Sequence, residues 1–358
     1  MKYTSIGGQA VMEGVMMRSQ TSLVMSVRRA DGTIVVDKQT LSQKPWRKTV
    51  AKIPVVRGVV AFVDSLIQGM NLTSKSAEMY GEDALAGEEP TKFEKWLSKT
   101  FNLKIETVAI VLGIILGLGL SFALFIFLPS LASRLFWHIF GLYGVTAQNA
   151  TVEIKLLLNV IEGVIKILIF LGYLLGVGCM KDIKRVFMYH GAEHKVISCF
   201  EHGDELTVEN ARKYSTSHPR CGTSFLFIIM ILGILVSSVA DNLFGLSNAN
   251  TAAMVTRIGV KLLLLPVIAG LSYEILKLLA KHDNVVFRIL RAPGMLLQKL
   301  STREPDDSML EVSLTSFKSV LVMDGLMTEE DAKLTDDVIL TCPLSDAPCE
   351  NDSEEKAE

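Results

Sequence analysis

The sequence predicts an α-helical multi-pass membrane protein of about four transmembrane helices, with a small N-terminal cytoplasmic β-hairpin or sheet and further helical elements in the cytoplasm. Three observations predict it. The 358 residues are 49% hydrophobic with a mean hydropathy of +0.37, too apolar for an ordinary soluble domain, yet 21% are charged. Four segments, near 105 to 128, 154 to 180, 223 to 246 and 256 to 280, offer the roughly 20 apolar residues that a helix needs to cross a hydrocarbon core about 30 Å thick. Two β-branched runs in "SLVMSVRRADGTIVVDKQTL" flank Asp31-Gly32, a pair that favours a tight hairpin turn.

Taken in order, residues 1–52 form a β-rich cytoplasmic segment. It begins with "GGQAVMEGVMMR", where Gly7, Gly8 and Gly14 permit tight backbone turns and Glu13 and Arg18 supply charge among methionines. No Lys-Ser/Thr pair follows, so this is not a phosphate loop. Residues 53–104 hold a helix opened by Pro54, an acidic linker and an amphipathic stretch with Trp96. Arg57 and Asp64 interrupt the apolar run of that helix, which favours a buried or interfacial element over a fifth span. The membrane region is 105–280, with a His- and Cys-bearing cytoplasmic loop at 181–222. Beyond residue 301 the chain reads as polar; 281–340 form a cytoplasmic C-terminal segment and 341–358 a disordered acidic tail.

Charge distribution orients the spans. Lys92, Lys95, Lys99 and Lys104 precede the first span, and Lys181, Lys184, Arg185, Lys195, Arg212, Lys213 and Arg220 follow the second. The connection at 129–152 has only Arg134, and 247–255 has no Lys or Arg. Positive residues stay on the cytoplasmic side, so both termini and the histidine loop are expected there. Phe136, Trp137, Phe140 and Tyr143 suit the outer interface, with His138 an interfacial side chain among them. A net charge of -2 gives no electrostatic case for a nucleic-acid partner. The expected partners are the lipid bilayer and membrane proteins or peptides, with an oligomer allowed. Five cysteines, Cys179, Cys199, Cys221, Cys342 and Cys349, form no dense framework and read as reduced thiols. The first residues lack the apolar stretch of a secretion signal.

Within the second span Glu162 and Lys166 stand four apart and form an ion pair by spacing, alongside Asn159. Only Asp241 and Glu274 could extend them into an ion or proton path. Gly113 with Gly117, and Gly172 with Gly176, have the small-residue spacing that allows close helix approach.

The chemistry concentrates in "YHGAEHK", residues 189–195. The second span runs on without an evident breaker, so a continuous helix into the cytoplasm is expected. On it His190 and His194 share one face, one turn apart, and Glu193 adjoins them as a candidate general base: His-x-x-Glu-His, the inverted zinc-protease order. A zinc site needs a third ligand, and "STSHPRCGTSF" returns His218 and Cys221 just before the third span. Glu274, near the cytoplasmic end of the fourth span, could serve as ligand or supporting partner. Glu13, Arg18, Arg57 and Arg220 are further candidates around the site; Arg18 or Arg220 would steady an anionic intermediate.

The segments "GGQAVMEGVMMR" at 7–18, "YHGAEHK" at 189–195, "STSHPRCGTSF" at 215–225 and "TREPDD" at 302–307 together resemble the YqhQ-like family of bacterial membrane proteins, the domain of unknown function numbered 1385. The resemblance reaches to about residue 320. It implies a multi-pass protein of the bacterial cytoplasmic membrane and a metal-dependent enzyme without an assigned substrate. It also implies a site of His190, Glu193, His194, His218 and Cys221.

The leading expectation is therefore a membrane-embedded, zinc-dependent hydrolase, peptidase-like in its motif, with His190, His194 and His218 or Cys221 as ligands and Glu193 as base. The rivals are a membrane scaffold or assembly factor with a structural His/Cys cluster, and a transporter built on Glu162, Lys166, Asp241 and Glu274.

Overall fold

The structure, a computed structural model, describes residues 6–41, 50, 52–81, 105–129, 131–132, 135, 152–219, 221–245, 251–281, 284–332 and 338–341. The acidic linker, Trp96, the aromatic connection with His138, Arg220, Cys342, Cys349 and the tail lie outside the described residues.

The N-terminal strands β1 (Gly7–Val11), β2 (Gly14–Arg18), β3 (Ser22–Arg28) and β4 (Ile34–Thr40) form an antiparallel meander, and β5 (Val338–Thr341) joins β4 in parallel. Asp31-Gly32 makes the expected hairpin turn. Gly32 takes φ +93°, and the Asp31 carboxylate accepts the Thr33 N–H at 2.9 Å. A second hairpin, β1 to β2, occupies the glycine-rich start, where glycines pointed to turns more than to strands. Its turn puts Glu13 at φ +50°.

Side chains alternate strictly between two covered faces. Val15, Met17, Val24, Ile34 and Val36 pack on one side, against helices α4 (Lys181–His202) and α9 (Asp307–Met323). Val11, Met16, Leu23, Met25, Val27 and Val35 pack on the other, against Leu72 and Met79 of α1 (Val56–Tyr80). Burial on both faces explains why the strands read as unbroken apolar runs. Two polar ties set the register. Lys75 of α1 meets the buried Asp37 of β4 at 2.7 Å, and Asp324, at the end of α9, accepts the hydroxyls of Ser19, Thr21 and Ser22.

Helix α9 corrects the expectation that the chain beyond residue 301 is polar. It is among the most buried elements, with Met309, Leu310, Val312, Phe317 and Val320 in the core beside Ser313, Ser316 and Ser319. Two of its hydroxyls give their protons to backbone carbonyls, while those of Ser313 and Ser319 are buried without a hydrogen-bond partner among the described residues. Ser316 Oγ donates to Val24 O at 3.0 Å, and Thr315 Oγ1 to Glu311 O at 2.9 Å.

The remaining helices are α2 (Ile105–Phe122, running into a π-helical turn at Ala123–Phe127), α3 (Val152–Val177), α5 (Val208–Arg212), α6 (Thr223–Leu243), α7 (Thr251–Lys281), α8 (Val285–Ser301) and α10 (Glu329–Ala332). Among the described residues three stretches are long and apolar enough to cross a membrane: Asn159–Val177, Phe225–Leu243 and Val255–Leu279. The first expected span, 105–128, is helical, and its described residues contribute the shorter apolar stretch Ile115–Phe127. Helix α1 is not among them: its C-terminal half lies on the sheet and its N-terminal half on α7, where Arg57 pairs with Glu274.

Two other expectations are corrected. The second span does not run unbroken into the histidine helix: α3 stops at Val177, a turn spans Gly178–Met180, and α4 starts at Lys181. The Gly178 carbonyl leaves the helical ladder and accepts from Arg303 Nη2 at 3.1 Å. Nor do Gly113, Gly117, Gly172 and Gly176 bring helices together among the described residues, for a Cβ on any of them would meet none of these within 4 Å. Close approaches lie elsewhere: between α3 and α6, where a Cβ on Gly163 would lie 2.7 Å from Ile234 Cγ2, and between α1 and α7, where one on Gly58 would lie 2.7 Å from Tyr273 Cβ and one on Gly270 would lie 2.6 Å from Val55 O.

Gly270→Ala is therefore expected to destabilise the fold by about 1–3 kcal/mol through forced separation of these backbones. Gly113→Ala should be neutral, and thermal unfolding of the two purified variants in detergent compares them directly.

Candidate metal centre

The centre is built on α4, which lies under the sheet with Tyr189, Ala192, Val196 and Cys199 in the core. That packing directs the opposite helix face toward two returning segments. One is the loop from α5 to α6, carrying Thr216, His218 and Cys221; the other is the connection from α8 to α9, residues 302–306. Gly191 admits the second segment, since a Cβ there would lie 2.1 Å from Arg303 O. Arg303 N–H donates to Phe187 O at 2.9 Å, and the buried Lys195 reaches Glu304 at 2.6 Å and Arg212 O at 2.9 Å. The "TREPDD" stretch, which sequence reading left without a role, is thus the clamp on α4. Its Asp306 also caps α9 by accepting the Met309 N–H at 3.0 Å.

His190, His194 and Cys221 come together with their ligand atoms all within 4.8 Å of one another, and His190 Nε2 stands 3.2 Å from Cys221 Sγ. Both imidazoles are oriented through the other nitrogen. His190 Nδ1 lies 2.9 Å from Ser301 O and His194 Nδ1 2.6 Å from Thr216 O. A carbonyl can only accept, so each Nδ1 carries the proton and each Nε2 keeps its lone pair. The Nε2 of His194 is buried and has no hydrogen-bond partner among the described residues. Cys221 Sγ has Thr223 Oγ1 at 3.2 Å and accepts the Thr223 N–H at 3.4 Å. Oriented imidazoles, an orphaned lone pair and a thiol with its own donor form a group that could hold a metal ion, and the donor types are ones that zinc accepts. Bonds of about 2.0–2.3 Å to one tetrahedral zinc would hold ligands roughly 3.3–3.8 Å apart, so the wider separations, up to 4.8 Å, would have to close by about 1 Å.

Glu193 is 5% exposed and lies under β1 at Gly8, where a Cβ would stand 2.7 Å from its Cδ. Burial raises its carboxyl to about 7, with the Cys221 thiol adding to the rise while His190 and the Gly8 N–H oppose it. Burial also drives His194 down to about 3, aided by His190 and His218, and pushes the Cys221 thiol upward. His218 stands beside the group, its ring centroid 5.8 Å from that of His194, but its Nε2 faces Glu201 Oε2 at 3.3 Å. Burial and His202 bring it down to about 4, and the neutral ring donates to that carboxylate. Glu201 is thus the partner of His218. Gln298 fixes the His218 backbone from both sides, at 2.9 Å each.

The other candidates fall into separate places. Glu13, at the β1–β2 turn, pairs with Arg185 and lies 3.3 Å from the Tyr189 hydroxyl, one residue before His190. Arg18 donates to Gln68 of α1 at 2.5 Å. Glu274 takes Arg57 and the Val55 N–H and is no part of the His/Cys group. Glu162 and Lys166 form their expected pair at 2.8 Å, joined by Arg257, Asp241 and Lys261. Arg257 and Lys261 escaped sequence reading, although two cations in an apolar segment were the available signal.

The opposed shifts have a measurable consequence in metal-free protein. Between pH about 6.5 and 3 the unfolded chain binds a proton that folded His194 refuses, so stability falls as pH is lowered through that window. Between 4.5 and about 7 folded Glu193 holds a proton that the unfolded chain releases, so its stabilisation is full below 4.5 and fades as pH rises. The two oppose each other from pH 4.5 to 6.5. Glu193→Gln deletes the second contribution and is expected to steepen the loss of stability on acidification across that range, as read from denaturation in chelator at successive pH values.

The chain is similar to known proteins along most of its length. Residues 53–323 match the family model described as "Protein of unknown function (DUF1385)". The chain is 35% identical over 336 residues to "Uncharacterized protein YqhQ" of Bacillus subtilis (strain 168), covering 93% of this chain and 97% of that protein. No solved structure matches it significantly. The matched region includes both returning segments and every residue of the His/Cys group, while β1 with Gly8 lies before it. The chain therefore belongs to the DUF1385 family.

Proposed function

We propose that this protein is a membrane-embedded, zinc-dependent hydrolase whose site lies at the cytoplasmic face of the bacterial inner membrane. The observation that carries the reading is the convergence of two backbone-oriented imidazole Nε2 atoms and the Cys221 thiol, with the buried Glu193 beside them. Three protein donors are the number that leaves a tetrahedral ion one position for water or substrate. Zinc held there supplies Lewis acidity, drawing water toward ionisation at neutral pH and polarising a carbonyl or phosphoryl oxygen.

The chain's own residues would do the rest. Glu193, poised near pH 7, accepts a proton from the attacking water and returns it to the leaving group. Gly8 leaves room for that carboxylate and holds it with its N–H. Pro219, between His218 and Cys221, borders a cleft of about 270 Å³ walled by Phe227, Ile228, Tyr273 and Leu276, with Lys277 and Arg291 also lining it. Those walls suit an amphipathic substrate with an acidic end, such as a membrane-associated peptide or ester. The cytoplasmic placement is supported by the Lys and Arg that gather around the His/Cys end of the spans.

One observation favours a structural metal in a non-catalytic scaffold: Glu193, His194 and Cys221 are all at most 7% exposed, and only His190 of the group is half-open. Metal analysis and turnover separate the two. Purified protein should carry about one zinc per chain, lost in His194→Ala and Cys221→Ser. Glu193→Gln should keep the zinc while hydrolysis of ester and peptide probes falls by about 10²–10⁴. Zinc retained with no turnover in the parent protein would leave the scaffold reading standing.

A further inference from the structure

Far from the His/Cys group, α3, α6 and α7 enclose a second set of charges. Arg257 binds Asp241 through two nitrogens, at 3.0 and 2.6 Å, and reaches Glu162 at 3.0 Å. Lys166 meets Glu162 at 2.8 Å, and Lys261 lies 3.4 Å from Asp241 and 3.8 Å from Glu162. Among the described residues three cations thus share two carboxylates, which leaves one positive charge over within an apolar helix bundle. Such a surplus is costly in hydrocarbon unless an anion answers it.

The surplus borders a space. A cavity of about 130 Å³ is lined by Lys166, Arg257 and Lys261, with Leu262 and Leu265 beside them and Phe125 and Ile126 opposite. Leu262 and Leu265 are about half exposed, so the cavity meets the outside of the bundle along an apolar rim, the side that faces lipid. Phe125 and Ile126 belong to the π-helical turn at Ala123–Phe127, a local widening that recurs at functional sites. The two lysines are only 21% and 24% exposed, and each directs Nζ to a carboxylate instead of extending toward water.

Depth favours a lipid. Asp241 stands two residues, about 3 Å, from the end of α6 at Leu243, and its partner Arg257 lies six residues, about 9 Å, inside α7, which starts at Thr251. Lys261 is about one turn deeper than Arg257, and Glu162 and Lys166 meet them from α3. The group therefore lies below the headgroup level at the end of α6 away from Cys221, on the face opposite the His/Cys group. A phosphodiester carries one negative charge, the complement of the surplus, on oxygens that suit Arg and Lys donors. We propose that this cavity binds the phosphodiester of an anionic phospholipid, which enters sideways from the bilayer between the π-turn and α7.

The test uses the full chain in detergent, titrated with phosphatidylglycerol, phosphatidylcholine or inorganic phosphate and followed by thermal unfolding and native mass spectrometry. Phosphatidylglycerol should raise the unfolding temperature and remain bound, more than phosphatidylcholine, whose quaternary ammonium would sit among cations. Lys261→Met balances the charges and should weaken phosphatidylglycerol about tenfold. Lys166→Met should act alike, which keeps the test usable if one variant folds poorly. An undiminished phosphatidylglycerol effect in the folded variants would overturn the proposal, as would inorganic phosphate matching the lipid with the same dependence on Lys261.

Discussion

The candidate centre depends on one constraint, the clamping of α4 between two backbones that approach at glycine. On one side Gly8 of β1 lies against Glu193, and on the other Arg303 O lies against Gly191. A side chain at either glycine would push a layer away, and His190 would lose the Ser301 carbonyl that orients it. The apolar contacts of Tyr189, Ala192 and Val196 hold α4 against the sheet but would tolerate small shifts along its axis. Hydrogen bonds donated by the Arg303 N–H to Phe187 O, and by both imidazole N–H groups to flanking backbone carbonyls, fix that axial position. Burial thus supplies the energy, while the polar contacts select one register.

The membrane bundle contributes through its two ends. At one, the short link from Gly222 into α6 places Cys221 within reach of His190, so a helix long and apolar enough to cross a membrane brings its thiol to a helix that lies under a sheet. At the other, Arg257 bridges Asp241 of α6 and Glu162 of α3. Removing one partner from a buried ionic group leaves an uncompensated charge, which costs far more than the intact group gains. Those ion pairs therefore hold α3, α6 and α7 to one relative height. The same segregation separates the residues from which a transport path was imagined: Glu274 belongs with Arg57 on α1, while Glu162, Lys166 and Asp241 gather at the opposite end of the spans.

Much of this was legible in the chain because period and spacing report faces. The Asp31-Gly32 hairpin, the Glu162–Lys166 pair and the approach of Cys221 to His190 and His194 all follow from local pattern plus the return of adjacent spans to one side. What escaped depends on long-range packing. The β1–β2 hairpin looks like a glycine-rich turn until β3 supplies its partner strand. Helix α9 looks polar because its serines are judged against water, whereas Ser316 spends its proton on Val24 O. His218 stood equal to Cys221 as a candidate because nothing in sequence shows that Glu201, two turns beyond His194, meets its ring. The break before α4 hides because Gly178 is also acceptable inside a span; what decides it is Arg303, more than 120 residues away, taking its carbonyl.

The protonation pattern links site to fold. Without a cation, burial leaves Glu193 half neutral near pH 7, His194 uncharged with an unused lone pair, and the Cys221 thiol resistant to ionisation. Each is the least solvated form of its group, and each is what a desolvated polar atom adopts when no opposite charge is near. A divalent ion within reach of all three would reverse that balance, making thiolate and carboxylate the favoured forms and giving the orphaned nitrogen a bond. Because His190 and His194 sit on the sheet layer and Cys221 on the membrane bundle, the same ion would also join the two layers. Its binding energy would then count toward their docking, because the three candidate donors come from separate elements and not from a single loop.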